Sequence, residues 1–437
     1  MKLKNPFPYN PETMVRELTR HYISASDYDI SRMLQSLDLS GLEELFEPIP
    51  GELLFTRPPE IPEELQYDEV ASKMESIADK NATVTSFLGD GLPNYRVPAI
   101  VDYVSSLRKL TTAYTPYQPE RSQGTLLSHW IYQCLISKLT GFEAVNASLY
   151  ERSTALFEAC ACSVRIKKKT DTVLVSETIL PSDIEVLRTL TADNDIQLLT
   201  VPAHPETGQL DLAQAKSLLE EHGDRLAAFA FPQVNNLGLL EDVNHLTEIS
   251  REAGVYSIAV IDPLLLATGG LKAPVDFGRI GCDIIVGEAQ HLAIGPNFGG
   301  PGLGVFGVRH NSEVKNMLRS TPGRFVGKAK DGADRDCYVQ VLSTREQHIR
   351  KDKATSNICS NQAFLASVAG ASLLARGDEG LKNACIAGYR RAREALKGLW
   401  EKTSLELAYP DRAFFNEFVL EVPEPVAELI EACRQQN

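Results

Sequence analysis

The sequence lacks several features that would place it in a specialised class of protein. Its 437 residues contain no apolar run near the roughly 18 residues that a membrane-spanning helix needs. The first residues, from Met1 to Pro6, lack the apolar core of a signal peptide. Basic residues are also few, with 44 lysines and arginines against 58 acidic residues and a net charge of −14. We therefore expect a cytoplasmic protein that binds neither membranes nor nucleic acid.

The cysteines are scattered along the chain and poorly placed for metal chemistry. Eight cysteines occur, and the only close pair, Cys160 and Cys162, has no second pair or neighbouring histidines to complete a zinc site. The eight histidines are mostly isolated, and no Ser–His–Asp arrangement is apparent. The sequence therefore predicts reduced, mostly buried thiols and no metal site.

Short β-branched runs alternate with helical patterns through the middle of the chain. Strands separated by helices, with no hairpin turns, indicate right-handed crossovers and a mostly parallel sheet. A further run at 302–309 predicts an antiparallel strand at the end of the series. The helices are predicted at 211–221 and 242–253, and the parallel strands at 172–176, 196–201, 226–231, 256–261 and 283–286.

The pattern changes on both sides of this α/β region. Residues 11–47 have helical spacings, and five prolines from Pro48 to Pro62 favour extended chain, either as an arm over a partner subunit or as a strap on its own domain. Helical patterns at 365–375 and 380–402, followed by a strand at 414–422, indicate a smaller α+β domain. We predict an N-terminal segment and arm at 1–80, a large α/β domain at 81–330 and a small domain at 331–437.

A basic run stands out in this acidic chain. It contains Arg345, His348, Arg350 and Lys353, and the polar residues Thr355–Asn357 follow directly, ahead of a helical pattern. We interpret this run as cations ahead of a capped helix N-terminus, which would attract anions. A solvated loop before an ordinary helix cap is the alternative that the residues alone leave open.

The basic run and several other blocks resemble the P-protein family of the glycine cleavage system. The similarity extends from about Arg20 to Phe418, nearly the whole chain, and it points to the alpha chains of the two-subunit P-proteins. The matching blocks are Arg345–Gln362, Ser86–Gly91 with Tyr95, Thr112–Thr125, Asn146–Ala155 and Gln233–Gly238.

The resemblance implies a fold, a cofactor and partners. The fold is the pyridoxal-phosphate-dependent transferase fold of the aspartate-aminotransferase type, with a mostly parallel large-domain sheet and a smaller α+β C-terminal domain. In the implied heterotetramer, a homologous beta chain holds pyridoxal phosphate, and the enzyme decarboxylates glycine and passes its aminomethyl group to lipoyl H-protein. The alpha chain completes the active-site mouth across the subunit interface.

The resemblance also directs attention to Asp262, which ends a predicted strand. In enzymes of this fold, an aspartate at the carboxyl edge of the sheet pairs with the cofactor's pyridinium nitrogen. The Schiff-base lysine should follow the next strand, but Gln290 and His291 stand there instead. No lysine occurs between Lys272 and Lys315, and a Schiff base needs a primary amine. We therefore expect that this chain holds no cofactor covalently, unless one of those two lysines reaches in.

A second departure from the family lies at Glu151 and Arg152, where relatives usually have Asp-Gly. A glycine there lets backbone N–H groups meet the cofactor's phosphate at a helix start. Arg152 supplies a cation to attract an anion, but its bulk opposes close approach of the backbone.

Aromatic and polar residues in the matching blocks are candidates for the active-site mouth. Tyr114 and Tyr117 straddle a proline-restricted turn and can present hydroxyls and ring faces, although ordinary packing is the alternative. The candidates are Tyr95, Tyr114, Tyr117, Gln118, Arg345, His348, Arg350, Lys353, Thr355 and Asn357.

Three functions remain open from the sequence. The first is a supporting subunit of glycine dehydrogenase (decarboxylating), with the chemistry on the beta chain. The second is a self-sufficient pyridoxal-phosphate decarboxylase or aminotransferase, which the missing lysine opposes. The third is a divergent, non-catalytic scaffold of the same fold, which a shortened C-terminus favours.

Overall fold

The computed structural model describes residues 7–10, 25–55, 57, 59–82, 95–111, 115–310, 317–423 and 425–435. The chain divides into two compact units, Met1–Thr83 and Val84–Asn437. Among the residues in these described ranges, no helix is long and apolar enough to cross a membrane.

The first unit contains two short amphipathic helices, α1 (Asp27–Ser36) and α2 (Tyr67–Ala78). A capping box starts α1, because Ser26 and Asp29 satisfy each other's backbone N–H groups. Short 3₁₀ turns at Leu42–Phe46 and Gly51–Leu53 lie between the two helices. No residue of these four elements is buried, so their apolar side chains form no core of their own.

The second unit is built around a seven-stranded sheet, counted over the described residues, in the order β1-β7-β6-β5-β4-β2-β3. Strands β2 to β6 pair in parallel, while β7 runs antiparallel to both β6 and β1. The strands are β1 (Ala144–Val145), β2 (Thr172–Ser176), β3 (Gln197–Val201), β4 (Leu226–Pro232), β5 (Tyr256–Ile261), β6 (Ile284–Glu288) and β7 (Gly304–Val308). The predicted mostly parallel sheet with a final antiparallel strand is confirmed.

Helices cover both faces of this sheet and bury two apolar layers. In β2, β4 and β7 every residue is buried, which is why these strands read as continuous apolar runs. Both helices predicted between strands are present, as α8 and α9. The helices up to this point are α3 (Ile100–Ser105), α4 (Arg108–Thr111), α5 (Gln123–Thr140), α6 (Arg152–Ile166), α7 (Pro181–Thr191), α8 (Leu212–His222), α9 (Val243–Glu252), α10 (Gln290–Ala293) and α11 (Met317–Ser320).

The remaining chain forms two small antiparallel pairs and a long helix. One pair is β8 (Phe325–Lys330) with β9 (Asp336–Val341), and the other is β10 (Glu406–Leu407) with β11 (Leu420–Glu421). The helices here are α12 (Gln347–Arg350), α13 (Ala363–Trp400) and α14 (Val426–Gln435). The two helices predicted at 365–375 and 380–402 are one element, interrupted only at Gly377, whose φ is 59°.

Two predictions in this region are wrong. The polar residues Thr355–Asn357 do not cap the following helix, because α13 begins at Ala363 with Gln362 at its N-cap position. The strand predicted at 414–422 is reduced to the two residues of β11. Its first part lies in a loop instead, where the Arg393 guanidinium donates to the carbonyls of Phe414 and Phe415. Those contacts satisfy backbone groups that a strand would have paired.

Candidate functional site

A cleft opens where β5 and β6 end, at the carboxyl edge of the parallel strands. Open α/β folds bind ligands at this edge, and the cleft has a volume of about 210 Å³. We call it the sheet-edge cleft. Its lining includes Tyr95, Arg152, Asp262, Glu288, Gln290, His291, Asn416 and Glu417. The structure therefore brings together several residues that the sequence had singled out separately.

Asp262 and His291 form an ion pair in the cleft. The Nε2 atom of His291 lies 3.0 Å from Oδ1 of Asp262, and the Leu264 N–H donates to the same carboxylate at 2.8 Å. Burial raises the pKa of Asp262, but the imidazolium and this N–H outweigh it and leave that pKa below its ordinary value. Burial lowers the pKa of His291, but the Asp262 charge outweighs it and leaves that pKa above its ordinary value. Each side chain thus favours the charged form of the other.

Tyr95 covers the imidazole of His291 from one side. The two rings meet edge to face, with 5.9 Å between their centroids and an interplanar angle of 74°. The Tyr95 hydroxyl is buried without a hydrogen-bond partner among the described residues. Burial and the nearby Glu288 charge raise the pKa of Tyr95 to about 12, so the phenol stays neutral. The predicted mouth residue Tyr95 thus lies inside the cleft.

The start of α6 is occupied by carboxylates from the chain itself. Glu151 is the N-cap residue, and its side chain accepts from the Thr154 N–H at 3.0 Å. The Arg152 N–H donates to Glu288 at 3.2 Å. The Arg152 guanidinium is bound by Asp183, which also accepts from the Ser153 hydroxyl at 2.6 Å. The helix start attracts anions, and the chain's own carboxylates already fill that role there.

Glu288 anchors the floor of the cleft. One of its carboxylate oxygens accepts from three backbone N–H groups, those of Ala289, Gln290 and Leu303, at distances between 2.6 and 3.0 Å. These bonds fix the turn that carries His291. Among the described residues, no lysine lines the cleft. The Lys272 ammonium donates instead to Asn244 Oδ1 at 2.9 Å, and Lys315 lies outside the described residues.

A second group joins two other predicted mouth residues, Tyr117 and His348. Their rings lie 4.9 Å apart, and both approach Glu346, with the Tyr117 hydroxyl at 3.3 Å and His348 Nδ1 at 3.7 Å from its carboxylate. Arg324 Nε lies 3.6 Å from the same carboxylate, and the Arg324 guanidinium lies 5.6 Å from the Tyr117 ring centre. We call these four residues the Tyr117 cluster.

The other residues of the basic run have different environments. Arg345 is partly buried, and its guanidinium donates to the carbonyls of Thr321 and Gly323, so it holds a turn. Arg350 is exposed and donates to the Thr344 carbonyl at 3.3 Å. Among the remaining candidates, Gln118, Lys353 and Asn357 are also exposed, while Thr355 is partly buried. Tyr114 and the block Ser86–Gly91 lie outside the described residues.

Sequence reasoning missed the acidic partners of both groups. Glu288 lies two residues beyond the predicted strand at 283–286, and that position at the ligand-binding edge was the available signal. Asp183 gave no signal, because it lies 31 residues from Arg152 in the first turn of α7. Glu346 lies within the basic run, where only the cations had been considered, and Arg324 belongs to none of the matching blocks.

Comparisons with known proteins point to one family. The family model described as "Glycine cleavage system P-protein" matches residues 20–436. A "Probable glycine dehydrogenase (decarboxylating) subunit 1" from Lysinibacillus sphaericus is 37% identical over 418 residues, which is 94% of this chain and 89% of that protein. A crystal structure of an inhibitor-bound glycine decarboxylase (P-protein) is 33% identical with a TM-score of 0.81, covering 95% of this chain and 90% of that one.

A more distant structure agrees on the fold alone. An alanine–glyoxylate aminotransferase from Nostoc sp. is 16% identical with a TM-score of 0.52, covering 82% of this chain and 85% of that one. Together with the P-protein structure, it confirms the predicted fold of the aspartate-aminotransferase type.

Proposed function

We propose a function from one premise, which is that the chain belongs to the glycine cleavage system P-protein family. The chain is the alpha subunit of a glycine dehydrogenase (decarboxylating). It supports the decarboxylation of glycine by a homologous beta chain, which holds pyridoxal phosphate, and the transfer of the aminomethyl group to lipoyl H-protein. The observation that carries this assignment is the ion pair of Asp262 with His291 in the sheet-edge cleft, where a catalytic chain would need an amine.

The residues of the sheet-edge cleft do not fit pyridoxal phosphate on this chain. His291 pairs with Asp262, the aspartate that would otherwise face the pyridinium nitrogen. An imidazole cannot form a Schiff base. The carboxylates of Glu151 and Glu288 accept hydrogen bonds from the N–H groups at the start of α6 that a phosphate would need. A phosphate there would meet two carboxylates, and Asp183 already neutralises the nearby Arg152. We therefore assign the cofactor to the beta chain.

When bound on the beta chain, the cofactor supplies the electron withdrawal that decarboxylation needs. This chain would contribute exposed cations and hydrogen-bonding groups at the rim of that site. Arg350 and Lys353 are exposed in a protein of net charge −14, so they create a local positive potential near the approach of glycine or of an acidic partner. Tyr117 is 43% exposed and Gln118 is exposed beside it, which suits both to contact with another chain.

The N-terminal segment, which includes the proline-rich arm at 48–62, is a candidate contact with the beta chain. None of the described helical elements of the first unit contains a buried residue, and ten acidic residues lie between Glu43 and Glu75 against two basic ones. The apolar residues of α2 recur at helical spacing and are exposed: Tyr67, Val70, Met74 and Ile77. An acidic segment with an apolar helix face would fit a basic, partly apolar surface on the beta chain. An interface that completes another chain's site should exceed about 2,000 Å² in total.

A reconstitution experiment tests the assignment. Glycine–bicarbonate exchange would be measured for this chain alone, for a beta chain alone and for both, each with lipoyl H-protein. We expect exchange only when both chains are present. Sodium borohydride would then be added to this chain with pyridoxal phosphate, followed by mass spectrometry, and the mass should not change. Exchange by this chain alone, or a stable reduced adduct on one of its lysines, would overturn the assignment.

A further inference from the structure

Arg324 is a buried arginine whose hydrogen-bonding groups are incompletely satisfied. Only 8% of the residue is exposed, and neither Nε nor Nη2 has a hydrogen-bond partner among the described residues. The nearest acid is Glu346, at 3.6 Å from Nε, which is beyond hydrogen-bonding range. Glu346 also accepts from Gln340 at 2.6 Å and from Tyr117 at 3.3 Å. The Glu346 carboxylate is therefore shared among several groups, and the Arg324 guanidinium near it still has free N–H donors.

Asn146 is a second buried side chain without partners in the same place. It is 1% exposed, and neither its Nδ2 nor its Oδ1 has a hydrogen-bond partner among the described residues. The two chain segments are adjacent, because the Ala147 N–H donates to the Arg324 carbonyl at 2.7 Å. A Cβ atom added at Gly323 would lie 2.8 Å from Asn146 Nδ2. Two unsatisfied side chains thus flank the turn at Gly323.

A small pocket borders this turn. We call it the Arg324 chamber, and its volume of about 10 Å³ is close to that of one water-sized group. It lies between the turn at 321–324 and the loop at 355–361. Its lining includes Thr321, Gly323, Arg324, Arg345, Glu346 and Asn361. A polyatomic ligand such as a nucleotide or a sugar phosphate is too large for it.

The charges around the chamber do not balance. Two guanidinium groups, those of Arg324 and Arg345, line it together with one carboxylate, that of Glu346. The hydrogen bonds of Arg345 go to backbone carbonyls and to the Thr321 hydroxyl, which bring no negative charge. The lining of the chamber therefore has one positive charge in excess, and an excess charge beside the buried Arg324 is costly without a counter-ion.

We propose that the Arg324 chamber binds one small inorganic anion of the chloride class. The free donors of Arg324 would face the anion, and the excess positive charge favours an anion over water. The volume limits it to a monatomic ion or one of similar size. The bound anion would join the turn at 321–324 to the loop at 355–361, and it would share Arg324 and Glu346 with the Tyr117 cluster. This site is separate from the sheet-edge cleft and does not depend on the proposed function.

Bromide provides the direct test, because it replaces chloride and scatters anomalously. Crystals of the unaltered full-length chain would be grown in sodium bromide, and data would be collected at the bromine absorption edge. We expect an anomalous peak within hydrogen-bonding distance of Arg324 Nε or Nη2. The absence of any peak in the chamber at high bromide concentration would refute the proposal.

A solution measurement tests the same site by a different readout. Melting temperatures would be compared in sodium chloride and sodium gluconate at equal ionic strength, because gluconate is too large to enter. We expect chloride to raise the melting temperature of the wild-type chain by roughly 1–3 °C. Arg324→Gln should lose this rise. The matched control is Arg335→Gln, whose side chain is 79% exposed and which should keep it. Equal rises in all three proteins would overturn the proposal, even if Arg324→Gln is less stable overall.

Discussion

The pair between Arg152 and Asp183 should be the costliest ion pair to break at the start of α6. The Asp183 side chain is 4% exposed and that of Arg152 is 22% exposed. Asp183→Asn keeps the shape of the side chain but leaves Arg152 without its counter-charge. Breaking a buried ion pair typically costs about 3–5 kcal/mol. Because water still reaches part of the Arg152 guanidinium, we expect the free energy of unfolding to fall by about 2–3 kcal/mol.

Urea unfolding followed by circular dichroism would measure this loss, with the slope of the transition compared between variants. Asp336→Asn is the matched control, because it likewise removes an aspartate from ion pairing, here with Lys328 at 2.7 Å and Lys330 at 2.8 Å, but Asp336 is 49% exposed. We expect the control to lose much less stability than Asp183→Asn, because water screens an exposed ion pair. A loss in Asp183→Asn no larger than that of the control would contradict the reasoning.

A double-mutant cycle isolates the pair itself. Arg152→Met removes the charge of Arg152 and keeps most of its apolar stem. Combined with Asp183→Asn, it leaves neither charge unpaired, so the double variant should be more stable than the sum of the two single losses predicts. We expect a coupling energy of about 1–3 kcal/mol. Strictly additive losses would show that the two side chains do not act as a pair.

The other predictions concern the cleft, the basic run and the arm. The Asp262–His291 pair should stabilise the fold most between pH 3.8 and 6.5, the ordinary pKa values of the two groups. Its contribution should fade as pH rises through the raised His291 pKa or falls through the lowered Asp262 pKa. The measurement is the free energy of unfolding of the wild type and of His291→Gln across this pH range. A difference between the two that does not change with pH would contradict this prediction. Arg350→Ala should lower kcat/KM of the reconstituted enzyme about tenfold, or roughly 1.4 kcal/mol, at low salt. Arg391→Ala, at an exposed arginine, is its control. If Arg350→Ala has the kcat/KM of the wild type, the basic run is only a solvated loop. Deleting residues 48–62 should weaken association with the beta chain in sedimentation, and unchanged association would make the arm an intrachain strap.

The elements of the large sheet could be predicted because their signals are local. The buried strands β2 and β4 are short apolar runs bounded by helical patterns, and the chain alone reveals them. The helix that Asp242 starts was equally visible, because its carboxylate accepts from the His245 N–H three residues later.

The parts that failed depend on contacts between distant residues. Ser356 resembled a helix-capping residue, but its hydroxyl donates to Glu158, which is 198 residues away in the chain. The motif reasoning placed Asp262 and His291 at the same edge, yet it could not show that they would pair. Spacing alone does not reveal which side chains meet once α7 packs against α6 and β8 packs against α5.

The outer edge of β7 is closed by the chain itself. β1 pairs with Val308 and Gly307, and the N–H groups of Asn146 and Leu149 then bond to the carbonyls of Phe306 and Gly304. Another extended chain therefore finds few free backbone groups on that side. At the opposite edge, β3 spans only five residues. Within the described part of the chain, this sheet is thus poorly suited to grow by strand addition, which guards against edge-to-edge aggregation and leaves association to surface side chains.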